Sequence, residues 1–473
     1  MPRRLWVLPI SVLCLLVVSQ GSPAAGIPST MAFRAYHAPH EFPNAHTAGE
    51  TSIGTVKGTT DALMQLRYTT ARVRFNDKAH PATASWSDVT FVGHHFAYDP
   101  ILWSDRVTGR TFVSLLLSAA GASTVFTDDG GVSWTPTVSP VTLPGLDHQV
   151  IGSGPRAGPL PQVASAYEHD TYYCVAVITA QCSRSDDGGR TWEPPVVLPA
   201  GTCEGTNGRA VVSLKGAVFV PRENCGSLQG MHVSHDGGTT WSAVTVPGTT
   251  PTPWAGLAPG PIRLPAVAFD ASNRMYFATT SGGRPVVLTS QDEGVHWSKP
   301  VDVGTRFAIR NTEFPMVVAD DAGRAAFAFY GTPKGGDDQA LSFSGVWHLY
   351  VAYTFNGGAT WQAVDTTPTD PVQRGCIAFG GGHPRAPDND FVEGGPLTPD
   401  GRPDPSLDKA CWNLRDYQDI TLDRDGRVLV SYADGCTSAA CRGSRGGPKD
   451  STDSLATISR QTSGRTLLSA FDR

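Results

Sequence analysis

The sequence predicts an all-β protein whose strands form the blades of a β-propeller. The first observation is one eight-residue pattern that recurs five times, at intervals of 49 to 64 residues. The second is composition: 51 glycines and 37 prolines indicate many turns, and a charged share of 17% is low for a chain of amphipathic helices. A unit repeated at this spacing cannot bury a core alone, so one blade per repeat is expected.

The repeated pattern has the form Ser/Thr-x-Asp-x-Gly-x-Thr-Trp. It occurs at Thr127–Trp134, Ser185–Trp192, Ser234–Trp241, Ser290–Trp297 and Thr354–Trp361. Its Asp or Asn can accept N–H bonds inside a hairpin turn, its Gly can adopt a positive φ, and its Trp can pack beside the turn. This is the Asp-box, and we interpret its residues as structural and exclude them from the site.

Each box is preceded by two β-rich runs and followed by one, which predicts four antiparallel strands per blade. We predict seven blades, with six as the alternative. The inner strands are expected to begin near Glu50, Asp99, Asp147, Asn207, Leu264, Glu313 and Asp419. In the last blade, the third and fourth strands are expected to flank a decayed box at Ser459–Thr466. The run Met31 to Ala38 is a candidate for that blade's outer strand, which would close the ring.

The N terminus has the charged, apolar and then small residues of a secretory signal peptide. We therefore predict that residues 1–25 are a signal peptide and that residues 26–473 form one secreted propeller domain. Eight cysteines remain, and outside the cell an even number favours disulfides. Eight cysteines allow about 105 pairings. Proximity in the sequence favours the pairs Cys174–Cys182, Cys203–Cys225, Cys376–Cys411 and Cys436–Cys441.

The charge pattern gives no reason to expect certain partners. The net charge is -6 and there are no Lys/Arg runs, so neither nucleic acid nor an anionic membrane is an expected ligand. No later apolar run is long enough for a membrane span. We expect a soluble monomer.

The face on which the inner strands begin is expected to carry function. Long connections at Pro221 to Gly230, Gly331 to Gly345 and Thr366 to Ala410 all open there. Five of the seven inner strands also start with an acidic residue, and these are Glu50, Asp99, Asp147, Glu313 and either Asp416 or Asp419.

Carboxylates that converge on a channel mouth repel one another. Some should be protonated, paired with a cationic side chain or bound to a cation. No cofactor is required, and Ca²⁺ is a possible ligand. The available partners are His148, Arg209, Arg263, Arg310 and Arg415. Alternatively, each acidic residue could simply accept amide N–H bonds from the neighbouring blade.

The boxes, together with several further segments, resemble the sialidase (neuraminidase) superfamily, in particular secreted bacterial sialidase-like proteins with bacterial-neuraminidase repeats. The further segments are Asp99–Leu102, Thr108–Phe112, Asp147–Gln149, Gly345–Tyr350 and Tyr432–Cys436. The resemblance implies three arginines that grip a substrate carboxylate, a Tyr/Glu nucleophile pair and an Asp acid/base. The arginine motif of that family is matched in part by Phe33-Arg34-Ala35-Tyr36, and Tyr417 is one option for the tyrosine.

Two functions follow as hypotheses. The first is a glycan-directed glycoside hydrolase of sialidase type, with Asp147, Glu313 or Asp99 as the catalytic acid or base. Its ligand-binding residues would be Glu50, His148, Arg263, Arg310, Arg415, Asp416 and Asp419. The second is a non-catalytic propeller that binds glycan, protein or a metal ion on the same face. The fold does not decide between them, because propellers host both.

Overall fold

The computed structural model describes residues 30–94, 98–116, 121–138, 140, 146–158, 167–177, 180–252, 263–340, 342–377 and 413–472. These residues form seven antiparallel sheets, each built on four strands. The prediction of an all-β propeller with seven blades is confirmed, and the alternative of six blades is wrong. Both the predicted signal peptide and Cys411 lie outside the described residues.

Six blades are each built from one continuous stretch of chain, with the strands numbered from the inside of the ring outward. Blade 1 contains β2 (Ser52–Thr55), β3 (Ala62–Leu66), β4 (Thr69–Asn76) and β5 (Thr83–Asp88). Blade 2 contains β6 (Tyr98–Ser104), β7 (Thr111–Leu116), β8 (Ala122–Thr127) and β9 (Thr135–Thr137). Blade 3 contains β10 (Leu146–Gly154), β11 (Asp170–Val177), β12 (Gln181–Ser185) and β13 (Val196–Val197). All seven predicted starts of inner strands agree with the structure to within a few residues.

The next three blades repeat this order, with two short additional strands. Blade 4 contains β14 (Glu204–Asn207), β15 (Val211–Val212), β16 (Val218–Cys225), β17 (Leu228–Ser234) and β18 (Ser242–Thr245). Blade 5 contains β19 (Ala266–Phe269), β20 (Met275–Ser281), β21 (Arg284–Ser290) and β22 (Val301–Asp302). Blade 6 contains β23 (Asn311–Ala319), β24 (Ala325–Thr332), β25 (Val346–Thr354), β26 (Gln362–Asp365) and β27 (Gln373–Arg374). The added strands are β15, which continues the inner strand of blade 4, and β27, which pairs with β25.

Blade 7 closes the ring with strands from both ends of the described chain. Its strands, from the inside, are β28 (Asp419–Leu422), β29 (Val428–Asp434), β30 (Leu455–Ser463) and β1 (Ala32–His37). The predicted closing strand is confirmed. The prediction of a fourth strand after the decayed box is wrong, because β1 already occupies that edge of β30 and the chain instead forms a 3₁₀ turn at Ser469–Phe471.

Among the described residues, helical structure is confined to short segments in the connections. These are α1 (Ala439–Arg442) and the 3₁₀ turns Ala45–Thr47, Thr305–Phe307 and Pro448–Asp450, besides Ser469–Phe471. In the described part of the chain, no helix has the length and apolar character needed to cross a membrane.

The Asp-boxes form the same polar turn in each repeat. In the first box, the Thr127 hydroxyl accepts from Gly131 N (3.0 Å), and Asp129 accepts from Ser133 N (2.9 Å) and Ser133 Oγ (2.6 Å). In the last box, Gly357 N donates to the carbonyl of Gly323 (2.9 Å), which lies in the turn after the inner strand. The boxes therefore lie at the end of the propeller where the inner strands finish, opposite to where they begin.

Disulfides brace the blades as predicted wherever the structure describes both partners. Cys174–Cys182, Cys203–Cys225 and Cys436–Cys441 are bonded. Cys376 is also disulfide-bonded, and the pairing of Cys376 with Cys411 stays a prediction.

The predictions of three long connections have different outcomes. The prediction of a long connection at Pro221 to Gly230 is wrong, because β16 and β17 extend through this segment and leave only a tight hairpin turn. Residues 333–345 do connect β24 to β25 in the described chain. From Thr366 to Ala410, the described part contains β27, and residues 378–410 lie outside the described residues.

Candidate functional site

The inner strands begin with a recurring backbone bulge at the mouth of the central channel. In five blades, a residue with positive φ lies two positions before the point at which the inner strand begins, or resumes, regular pairing with the second strand of its blade. These residues are Glu50 (φ 61°), Asp99 (43°), His148 (47°), Gly205 (88°) and Phe314 (54°). Left-handed conformation is unfavourable for residues with a side chain and is concentrated at functional sites. The bulge re-aims the neighbouring side chains at this end of the channel.

The predicted acidic residues do not occupy one equivalent position in the blades. Glu50 and Asp99 are themselves left-handed residues. Asp147 and Glu313 instead come one position before the left-handed residues of their blades, His148 and Phe314. Asp419 lies in the regular part of its strand, opposite Ser431. The side chain of Asp147 is outside the described residues, so its predicted catalytic role stays a prediction.

Blades 4, 5 and 6 contribute a first cluster of charged side chains. Arg263 Nε donates to Glu313 Oε1 (2.9 Å), and its Nη2 donates to both oxygens of Asp338 (3.0 and 2.8 Å). The amide N–H of Arg263 donates to Glu223 Oε1 (2.7 Å). Thr206 donates to the other oxygen of Glu223 through its hydroxyl (2.6 Å) and its amide (3.1 Å). One arginine thus contacts three carboxyl groups.

Burial sets the protonation of this first cluster. The side chain of Glu313 has no exposed surface, and its Oε2 is buried without a hydrogen-bond partner. Burial raises the pKa of Glu313 well above its usual 4.5, opposed by the charge of Arg263. Burial also raises the pKa of Asp338 and that of Glu223. Of these three carboxyl groups, Glu313 therefore has the strongest tendency to hold a proton.

Glu223 and Asp338 were missed by reasoning from the sequence. Glu223 lies in the predicted connection Pro221 to Gly230, which was expected on the functional face but forms part of the second strand of blade 4. Asp338 lies in the connection between β24 and β25, which the sequence did identify as a functional loop. Weighing the acidic residues of that loop could have found it.

Blades 1, 2, 3 and 7 contribute a second cluster. The amide of His148 donates to Asp99 Oδ2 (3.3 Å), and His148 Nε2 lies 3.6 Å from Asp416 Oδ2. Tyr417 donates its hydroxyl to the carbonyl of Pro100 (3.0 Å). Burial, followed by the charges of Glu50 and Asp99, raises the pKa of Tyr417 well above its usual 10. This tyrosine is therefore held as a neutral phenol, which is a poor nucleophile.

Arg209 lies in the channel beneath the mouth. Its guanidinium donates to the buried carboxylate of Asp419 and to the carbonyl of Leu102 (3.4 Å). Asp419 also accepts from the amide of Ile53 (2.8 Å). Burial raises the pKa of Asp419 to about 6, against the opposing charge of Arg209. Asp419 thus links blades 1, 4 and 7 and has no side-chain surface exposed to a ligand.

The remaining predicted residues fall in different places. Arg415 is buried and packs on blade 1, where a side chain at Gly49 would clash with its Cγ at 2.5 Å. Arg310 has an exposed side chain beside the connection at Gly335. Arg34 lies in the outermost strand of blade 7 and donates to the carbonyl of Ala82 (3.1 Å). The partial arginine motif is therefore at the rim of the propeller, away from the channel.

Below the mouth, the channel is an apolar cavity of about 260 Å³ to which all seven blades contribute. Its wall includes Ile53, Trp103, Val211, Val267, Met316 and Ile420. Arg209 and Asp419 pair at one end, and Arg106 and Asp320 pair at the end near the Asp-boxes. These two ion pairs therefore lie at opposite ends of the channel.

Comparison with known proteins identifies the repeat and the fold. A family model described as BNR/Asp-box repeat matches residues 232–243, which contain the third box. No curated protein sequence matches the chain.

Solved structures match the chain at low identity and with TM-scores below 0.5. The Hadza microbial sialidase Hz136 is 14% identical over 86% of this chain and 74% of its own, with a TM-score of 0.42. A protein from Dyadobacter fermentans is 11% identical over 93% and 100%, with a TM-score of 0.43. The Aleuria aurantia lectin is 11% identical over 68% and 98%, with a TM-score of 0.42. The repeat and the described fold define a β-propeller with seven blades and a BNR/Asp-box repeat.

Proposed function

We propose that this propeller is exported and binds a neutral, hydroxyl-rich glycan at the mouth of its channel. The observation that carries the proposal is the number of hydrogen-bond acceptors there. The carboxyl groups of Glu50, Asp99, Glu223, Asp338 and Asp416 all lie at the mouth, in addition to the fully buried Glu313. Carboxylates only accept hydrogen bonds, whereas sugar hydroxyls donate them.

The charge balance favours a neutral sugar over an anionic one. Arg263 is already engaged by Glu313 and Asp338, and Arg209 by Asp419. A ligand carboxylate would have to displace these partners and enter a site with an excess of negative charge. For this reason we favour neutral glycans over sialic acid as ligands. The three disulfides support export, since such bonds persist in oxidising compartments.

Glycoside hydrolysis is the second candidate, and the burial of Glu313, which raises its pKa, is the feature that favours it. A carboxyl group held neutral at pH 7 can serve as a general acid, and Asp338 beside it supplies a second carboxyl group. Because Glu313 is fully buried, this reaction would require the ligand or a loop movement to uncover it.

Two assays on the mature, disulfide-bonded protein separate these candidates. Screening on a glycan array, followed by calorimetry, is expected to show binding to neutral oligosaccharides that weakens in Asp99→Asn and Asp416→Asn. The matched control is Glu193→Gln, an exposed acidic residue at the opposite end of the propeller, which should bind as wild type. Preferential binding to sialylated glycans, or no glycan binding at all, would contradict the proposal. Turnover of fluorogenic glycosides that is lost in Glu313→Gln would establish the hydrolase instead.

A further inference from the structure

We propose that His37, Asp370 and Asp434 bind a divalent transition-metal ion, for which Zn²⁺ is the best match, and that this ion fastens the closing strand of the ring. Each residue offers one ligand atom, and these three atoms all lie within 4.8 Å of one another. Among the described residues, this is the group whose His and carboxyl ligands come close enough to share a cation. His37 and Asp434 belong to strands of blade 7 that lie outside its inner strand β28.

The three ligands come from three separate parts of the chain. His37 ends the closing strand β1, Asp434 ends β29 of the same blade, and Asp370 follows β26 of blade 6. An ion bound here would connect the first described strand both to its own blade and to the neighbouring blade. Because the unfolded chain would not bring these ligands together, the free energy of binding such an ion would add to the free energy of folding.

Asp434 provides an independent sign that a ligand is needed. The residue is 1% exposed, and its Oδ1 accepts from the amide of Cys436 (2.8 Å). Its Oδ2 is buried without any hydrogen-bond partner. A buried carboxylate oxygen without a partner is unfavourable, and such atoms usually indicate an ion or water that satisfies them.

The other two residues retain a free position for a metal. Asp370 Oδ1 accepts from Arg442 Nε (2.6 Å), which orients the carboxylate. His37 Nδ1 contacts the hydroxyl of Thr457 (3.0 Å), so the other ring nitrogen can coordinate an ion. A ring nitrogen whose partner nitrogen is hydrogen-bonded is the usual arrangement of a metal-binding histidine.

The mixture of ligand types favours Zn²⁺ over Ca²⁺. Zn²⁺ binds both imidazole nitrogen and carboxylate oxygen, and a site with three protein ligands leaves the fourth position of the tetrahedron to water. Ca²⁺ prefers six to eight oxygen ligands and rarely uses histidine. The cation expected here therefore differs in kind and in place from the Ca²⁺ considered for the acidic mouth.

The test is Zn²⁺ titration of the full mature protein after treatment with chelator, followed by calorimetry and thermal unfolding. One ion should bind per chain and raise the melting temperature. His37→Ala, which changes an exposed side chain, should weaken binding at least about ten-fold and abolish the rise. Asp434→Asn should do the same, provided that circular dichroism shows it to be folded.

Two control variants address other histidines. His40 Nδ1 lies 2.6 Å from His46 Nε2, and His46 contacts Asp453, so this nearby pair could also attract Zn²⁺. His296 pairs with Asp292 on the exposed face of an Asp-box. His40→Ala and His296→Ala should bind Zn²⁺ as wild type. Absence of Zn²⁺ binding, retention of it in His37→Ala, or its loss in His40→Ala would each overturn the proposal.

Discussion

Arg209 of blade 4 and Asp419 of blade 7 form an ion pair across the central channel, between blades on opposite sides of the ring. The side chain of Asp419 is completely buried, and that of Arg209 is 13% exposed. Removing one partner of such a pair leaves an uncompensated buried charge, which is much more costly than removing both.

We expect Arg209→Met to lower the free energy of unfolding by about 3–5 kcal/mol, measured by denaturation in urea. The double variant Arg209→Met/Asp419→Asn should recover part of this loss, because asparagine has no charge to be compensated. Equal stabilities for the single and double variants would contradict the role assigned to the pair.

The proton on Glu313 predicts a dependence of stability on pH. The folded pKa of this carboxyl is raised, so its stabilising contribution is fully present below the unfolded pKa of about 4.5. It is lost as the pH rises toward the folded value, because only the folded chain then holds the proton. Glu313→Gln should remove this contribution, so the variant should gain stability relative to wild type as the pH rises from about 4 to 8.

Infrared difference spectroscopy provides a direct check of the same proton. At pH 7 the band of protonated carboxyl groups should be weaker in Glu313→Gln than in the wild type. Persistence of the full band in Glu313→Gln would assign the proton to another residue, with Asp338 and Glu223 as the nearest candidates.

The fifth Asp-box supplies a natural control for the other four. Asn356 accepts from the amide of Thr360 (3.0 Å) and donates to its hydroxyl (2.8 Å), where the other boxes use a carboxylate. We therefore expect Asp187→Asn to change the unfolding free energy little. Asp187→Ala removes the acceptor for both Thr191 N and Thr191 Oγ1 and should cost about 1–3 kcal/mol. If the two variants were equally destabilised, charge rather than hydrogen bonding would hold the turn.

The closing strand β1 covers the edge of β30, and removing it should expose that edge. Without residues 26–38, the protein is expected to unfold at a lower temperature and to self-associate, because an open edge strand pairs with other chains. Size-exclusion chromatography and thermal unfolding would measure both effects. A synthetic peptide of residues 30–38 should restore the monomer, whereas a scrambled peptide should not. A truncated protein that remains monomeric and equally stable would show that β1 is dispensable.

The parts of the structure that depend on repetition could be predicted from the sequence. The Asp-boxes fix the position of one turn in five blades, and the spacing between them fixes the number of strands. The closing strand could also be found, because Met31 to Ala38 is a β-rich run with no blade of its own.

The site was less predictable because it depends on local backbone geometry. The starts of the inner strands were correctly placed, yet a bulge shifts the side chains by one position, so that Glu50 and Glu313 are not equivalent. Glu223 lies in a second strand and reaches Arg263 only because the two blades pack together. The pairing of Arg209 with Asp419 joins residues 210 positions apart, and no local pattern contains that information.

The pairing of β1 with β30 has a consequence for the order of folding. His37 and Thr457 are neighbours in the finished sheet but are 420 residues apart in the chain. Contacts of such high sequence separation form late, because a large loop must close before they contribute any stability. Most blades can assemble from local hairpins, whereas β1 remains unpaired until β30 has formed. The last kinetic step of folding is therefore expected to be the docking of β1, the first described strand of the chain. Mutations where β1 contacts β30 should alter the rate of ring closure more than the rate at which any single blade forms.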